Sequence, residues 1–175
     1  MNRQRIKSKK DKPAWREWVE SLGGAIILTF FIITFIGQSY VVDGSSMETT
    51  LSHGQRMIVE KVTYRFNEPS HGEIIVLRVP GSQFIKRIIA VEGDTIAERN
   101  GVIYINGNAL DEPYVTNKTS MNWGPFRVPE GKYWVMGDNR PNSDDSRGTV
   151  GFLSRDDVVG RAVFRYWPLG RLGVL

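Results

Sequence analysis

The chain has 175 residues, 23 of them basic and 19 acidic, enough for one ordinary domain plus a tail or anchor. It has no cysteine, which excludes a disulfide framework, a thiol nucleophile and a thiolate metal site. The charge excess is wholly N-terminal: residues 1–21 hold 7 basic and 3 acidic side chains, and the remainder holds 16 of each. The body therefore has no basic bias toward phosphate, and no nucleic-acid partner is expected.

In chain order, residues 1–20 read as a basic cytoplasmic tail without order. Between Glu20 and Asp43 no side chain is charged, and the 22 residues "SLGGAIILTFFIITFIGQSYVV" suit a helix crossing about 30 Å of hydrocarbon. The run predicts a single transmembrane helix over 21–42. It is long for a signal-peptide core, and no A-x-A-like cleavage site follows it. Lys and Arg on its N-terminal side, with Trp15 and Trp18 near the interface, place the N-terminus in the cytoplasm. The chain is then single-pass in the cell membrane, with residues 43–175 as an extracytoplasmic domain.

That domain reads as all-β. "RMIVEKVTY", "GEIIVLRVP", "QFIKRIIAVEGD", "GVIYING" and "KYWVMGD" are rich in Ile, Val and Tyr and bounded by Gly, Pro, Asn or Asp. Asn100-Gly101 predicts a hairpin joining "DTIAER" to "VIYIN", within a hairpin insertion at about 93–130. "SRDDVVG" predicts one capped helical turn between Ser154 and Gly160.

Three clusters can carry chemistry. "VVDGSSMETTL" offers two adjacent serines, Ser45 and Ser46, in a glycine-containing turn just past the apolar run. His53 and His71 are the only histidines that could serve a Ser-His-Asp triad, and both lie in turn-like loops. The acidic "NSDDS" could offer oxygen ligands, but no metal and no cofactor is expected.

A lysine can act as base only when neutral, so it must be desolvated. Lys86 meets that condition: strict alternation puts Phe84, Lys86, Ile88 and Ala90 on one face of a strand, and Ile85, Arg87, Ile89 and Val91 on the other. One of Lys86 and Arg87 must then be buried, paired or snorkelling. Arg87 cannot be a base, because guanidinium keeps its proton. The third cluster, "GDNRPNSDDSRGTVG", is a polar loop dense in Asp, Asn, Ser and Arg.

In this order the stretches resemble the type I signal peptidase family of bacteria, in its single-anchor form. "DGSSMETTL" is similar to the nucleophile motif S-M-x-P-T-L and selects Ser46, the serine before Met47. "HGEIIVLR" resembles the next strand box, and "IKRIIAVEGD" the lysine box. "GDNRPNSDDSRGTVG" matches the last box at every specified position. Thr49 and Glu92 stand where the family commonly has proline, and Gly44 stands where some members carry a second oxyanion donor.

The resemblance implies a β fold shared with self-cleaving repressor domains, preceded by the anchor. It implies a serine endopeptidase that cleaves precursors after small residues of the A-x-A kind. Ser46 would be the nucleophile, Lys86 the general base and the Ser46 backbone N–H the oxyanion donor. Ser143 would hydrogen-bond Lys86 and orient it, and Asp145 would brace the site with Arg147. The implied partners are signal-peptide-bearing precursors and the lipid bilayer, downstream of the secretion translocase. Self-cleaving repressors carry a DNA-binding module in place of an anchor, which the charge distribution disfavours. A membrane-tethered β module that binds peptides without cleaving them is the alternative of a different class.

Overall fold

A run of four consecutive apolar residues, Ile74 to Leu77, fixes the centre of the molecule, because all four side chains are buried. Strands that read this way are covered on both faces. In the computed structural model, which describes residues 13–32 and 37–175, this run opens strand β3 (Ile74–Val79). Ile74 and Val76 enter one core cluster, with Met57, Val59 and Ala162, while Ile75 and Leu77 enter a second, with Ile88, Tyr133 and Val135.

The strands around it are β1 (Gly37–Val41), β2 (Arg56–Glu60), β4 (Ser82–Val91), β9 (Lys132–Met136), β10 (Leu153–Ser154), β11 (Val158–Trp167) and β12 (Gly173–Val174). They form an antiparallel sheet in the order β1-β2-β11-β3-β4-β9-β10, with β12 beside β11. A second antiparallel sheet, in the order β7-β6-β5-β8, occupies the 93–130 stretch. Its strands are β5 (Thr95–Arg99), β6 (Val102–Ile105), β7 (Asn108–Ala109) and β8 (Trp123–Arg127). Asn100 and Gly101 both take positive φ, as a two-residue hairpin turn requires, and Arg99 pairs with Val102 across it. A third core cluster joins the sheets through Ile89, Ala90, Ile96, Ile103, Trp134 and Met136, with Trp123 and Phe126 tilted against Trp134 and Phe152 edge-on to it. The body is predominantly β.

The apolar N-terminal run is not one continuous helix over 21–42. Helix α1 spans Ala14–Phe31, so residues 14–20 of the expected tail are helical, and Gly37–Val41 is already strand β1, paired with β2 from Gly37↔Glu60 to Val41↔Arg56. Residues 33–36 of the run, and residues 1–12 of the tail, lie outside the described residues. Leu22, Ile26, Ile27, Leu28 and Phe30 of α1 are each more than half exposed. Among the described residues no helix is long and apolar enough to cross a membrane. Arg16, Glu17 and Glu20 fall inside α1 and dilute its apolar character.

Two local expectations also give way to tertiary contacts. The turn at Ser154 is a short 3-10 segment, Arg155–Asp157, after which Val158–Gly160 belong to β11. Gly160 is not a helix terminator: it lies in β11 next to the Arg161–Glu60 pair with β2, and a Cβ there would overlap the Glu60 carbonyl and crowd Val59. In β4, a register shift between Ile88 and Ala90 ends the strict alternation. Ile88 therefore packs in the second cluster and both Ile89 and Ala90 in the third.

Gly160→Ala is expected to lower stability by about 1–3 kcal/mol through backbone overpacking. Denaturant unfolding of the solubilised protein checks this; an unchanged midpoint would show that β11 and β2 can separate freely.

Candidate active site

The first part of the site is a closed loop between β1 and β2. Val42 N–H donates to Gln55 O at 2.8 Å and Gly54 N–H to Val42 O at 2.9 Å, which ties the neck. Within it, Met47 and Leu51 are fully buried in the first core cluster, and Leu51 N–H donates to Met47 O. These two plugs fix the height of Ser46, which directly precedes Met47. Gly44 has φ +93°, a conformation that side chains disfavour, and it turns the chain toward the serines. No hydrogen bond among the described residues engages the Ser46 N–H.

The second part is Lys86 on β4. Its residue is 3% exposed, and its Nζ lies 2.8 Å from Ser46 Oγ. Nζ also sits over the Phe84 ring, 5.0 Å from the centroid. Burial pulls the Lys86 pKa down to about 8; Asp145 and Asp144 oppose the shift, and Arg147 assists it. The histidines are engaged elsewhere. His53 Nδ1 accepts the Gly44 N–H at 3.2 Å and lies 3.3 Å from Asp43, and His71 Nε2 lies 2.6 Å from Asp94. Neither histidine partners Ser46.

The third part is the loop after β9. Arg147 forms a two-pronged pair with Asp145, its Nε at 2.9 Å from Oδ1 and its Nη2 at 2.8 Å from Oδ2. Asp145 also accepts the Gly137 N–H at 3.0 Å. Burial raises the Asp145 pKa, but its bonds and charge interaction with Arg147 outweigh this and hold it below the usual carboxylate value. Ser143 lies beside Asp145 and over Gly137, where any Cβ would overlap Ser143 Oγ and Ser46 O. Ser143 Oγ is buried, and no hydrogen bond between it and Lys86 is found among the described residues; its hydroxyl instead helps to hold the Asp145 pKa down.

Several residues of this loop had no assigned part in the sequence reading. Asp138 accepts two bonds from Arg87, at 2.9 and 2.7 Å, and one from Thr50 Oγ1 at 2.6 Å, tying β4 to the serine loop. Asn139 donates its backbone N–H to Ser46 O at 3.0 Å and its Nδ2 to Ser45 O at 3.1 Å. Arg140 pairs with buried Glu112 from the insertion. The only sequence signal for these roles was the density of Asp, Asn and Arg in one loop, because loops have no periodicity from which facing can be read.

Beside the Ser46–Lys86 contact runs a cleft of about 210 Å³, lined by Tyr40 to Gly44 on one side and Gln83 to Lys86 on the other. Val76 and Met47 contribute to its lining. Strand β1 is the edge of its sheet, and β4 pairs with β9 only from Arg87 onward. The cleft therefore lies between two stretches of strand that each have one unpaired edge among the described residues.

The family model described as "Signal peptidase, peptidase S26" matches residues 15–167. A probable signal peptidase I-2 of Synechocystis sp. is 39% identical over 95% of this chain and 81% of its own length. A signal peptidase I of Leptolyngbya laminosa is 38% identical over 95% and 86%. The signal peptidase I S of Bacillus subtilis is 37% identical over 89% and 91%.

The buried amine has a consequence for stability. Between about pH 8 and its unfolded value of 10.5, Lys86 holds more protons in the unfolded chain than in the folded one. Its contribution to stability therefore rises with pH across that window, and the cost of the buried charge is fully present below 8. Lys86→Met removes that cost. The melting temperature of the variant is expected to exceed that of the wild type below pH 8, with the gap closing toward pH 10.5; a gap independent of pH would contradict the depressed pKa.

Proposed function

Because the chain belongs to the signal peptidase family, peptidase S26, we propose that Ser46 and Lys86 are its nucleophile and general base. It is a serine endopeptidase of the signal peptidase I type. The observation that carries the assignment of residues is the 2.8 Å approach of a buried amine, with its pKa near 8, to the one serine hydroxyl held at the mouth of the cleft.

In this mechanism neutral Lys86 accepts the Ser46 hydroxyl proton as Oγ bonds to the scissile carbonyl carbon. The resulting oxyanion is met by the unengaged Ser46 N–H. Collapse breaks the C–N bond, and the Lys86 ammonium gives its proton to the leaving amine. Water then adds to the Ser46 ester while Lys86 takes its proton; the C–O bond breaks, and that proton returns to Ser46. Asp145 with Arg147 braces the loop behind Lys86, and Ser143 fills the space between that loop and the Ser46 backbone. The Ser143 hydroxyl, beside Asp145, would turn to Lys86 and supply the orienting bond during turnover.

The substrate is a precursor whose signal peptide lies extended in the cleft, adding a strand between β1 and the unpaired part of β4. The limited volume and the apolar walls from Val42, Val76, Phe84 and Ile85 favour small residues before the cleaved bond, as in A-x-A sites. Helix α1, with its exposed apolar surface, is the described part of the membrane anchor in this reading. The N-terminal tail is then cytoplasmic and the β body extracytoplasmic, downstream of the translocase. Because β1 is the one described strand between α1 and Ser46, the nucleophile stays tethered near the membrane surface, where a precursor's cleavage site leaves the bilayer.

Ser46→Ala and Lys86→Ala are each expected to abolish cleavage of a precursor in detergent while leaving the thermal melt cooperative. Full cleavage by Lys86→Ala would end the dyad. In the wild type, kcat/KM is expected to rise about tenfold per pH unit to a limb near pH 8, because only neutral Lys86 is competent. A limb near 10.5 would mean that the lysine is solvated.

A further inference from the structure

The peptide unit that joins Ser45 to Ser46 has two ends. Its N–H belongs to Ser46 and is unengaged among the described residues. Its carbonyl belongs to Ser45 and accepts the Asn139 side-chain amide at 3.1 Å. In a trans peptide the C=O and N–H point in opposite directions, so whatever fixes one fixes the direction of the other. The next carbonyl, Ser46 O, is held by the backbone N–H of the same residue at 3.0 Å. Asn139 thus grips both carbonyls that flank the nucleophile's α-carbon.

Two further observations bear on this grip. Asn139 is 6% exposed, and its Oδ1 is buried without a partner, so the amide is turned to donate at the cost of an unsatisfied acceptor. Its loop is clamped on both sides, by Asp138 on Arg87 and Thr50 and by Arg140 on Glu112 and Gly137 O. A hydrogen bond accepted at a carbonyl also polarises the peptide and strengthens donation from its N–H.

We propose that Asn139 is a positioning residue for the oxyanion site: by binding the Ser45 carbonyl it aims and strengthens the Ser46 N–H. This rests on the Ser46 assignment above. It also answers a gap in the sequence, because Gly44 carries no side-chain donor that could share the oxyanion, so the quality of the single backbone donor decides how well the charge is met. The interaction gains importance as negative charge develops, so its loss falls on the chemical steps rather than on peptide binding.

The test uses the full-length protein in detergent, a synthetic peptide with a small-residue cleavage site, and the aldehyde and alcohol forms of its acyl half. The aldehyde adds Ser46 Oγ to its carbonyl and places an oxyanion in the site; the alcohol binds without one. Asn139→Ala and the isosteric Asn139→Asp, which cannot donate through an ionised carboxylate, are compared with the wild type. Both are expected to lower kcat by about 10- to 100-fold, with Asn139→Asp the worse, and to leave KM within about threefold. Aldehyde affinity is expected to weaken with kcat while alcohol affinity stays constant. Unchanged kcat, unchanged aldehyde affinity, or equal losses for aldehyde and alcohol would each overturn the proposal. So would failure of both variants to fold, since the role would then be structural. A wild-type chain that does not bind the aldehyde through Ser46 would instead count against the dyad itself.

Discussion

One contact between an amine and an alcohol, 2.8 Å long, sets the conditions that the rest of the molecule meets. The amine must lose its proton near neutral pH, so it needs a dry site; on β4, paired there with β3, Lys86 is almost fully buried. The alcohol must stand at a fixed height, and buried Met47 and Leu51 provide that by anchoring its loop in the core. The charges nearby must not reverse the effect of burial. Asp145 and Asp144 favour the ammonium, and Arg147 offsets them from its two-pronged pair with Asp145. The pair is thus electrostatic balance as well as bracing.

Buried ion pairs are poor sources of net stability, yet losing one partner of such a pair costs about 3–5 kcal/mol. Three of them converge on the loop after β9: Arg147 with Asp145, Arg87 with Asp138 and Arg140 with Glu112. Their value here is geometric. Each fixes one point of a loop that has no strand ladder of its own. One of these partners comes from the insertion, Glu112 on Arg140, and the insertion adds a further tie through Thr119, whose hydroxyl accepts from Arg147. Tyr114, also from the insertion, stacks on Arg87 at 4.0 Å. The second sheet therefore connects physically to the site through the segment between β7 and β8.

Much of the β body was readable because its strands carry consecutive or alternating apolar residues between Gly, Pro and Asn. β1 was not, since Gly37–Val41 closes an apolar run whose composition suits helix and strand alike. β11 was missed for another reason: Gly160 imitates a helix terminator, and only the approach of the Glu60 carbonyl shows why a glycine stands there. In β4, the bulge after Ile88 moved Ile89 and Ala90 into one cluster, which no alternating pattern can announce. The resemblance implied Ser143 as the partner of Lys86; in the fold its hydroxyl lies against Gly137 and beside Asp145, a placement no local pattern announces.

The order of residues alone determined which groups could react. With no cysteine, and with both histidines in turns, a lysine amid apolar strand residues stood out as a possible base, and the serine before Met47 as its counterpart by motif. Those properties are local, since hydropathy and chemical type are written residue by residue. What only the tertiary structure decided is distance and direction. Residues 40 positions apart meet as Ser46 and Lys86, and Asn139 reaches back 94 positions to the Ser45 carbonyl. Such contacts arise from strand pairing and core packing between remote segments, which no local pattern encodes.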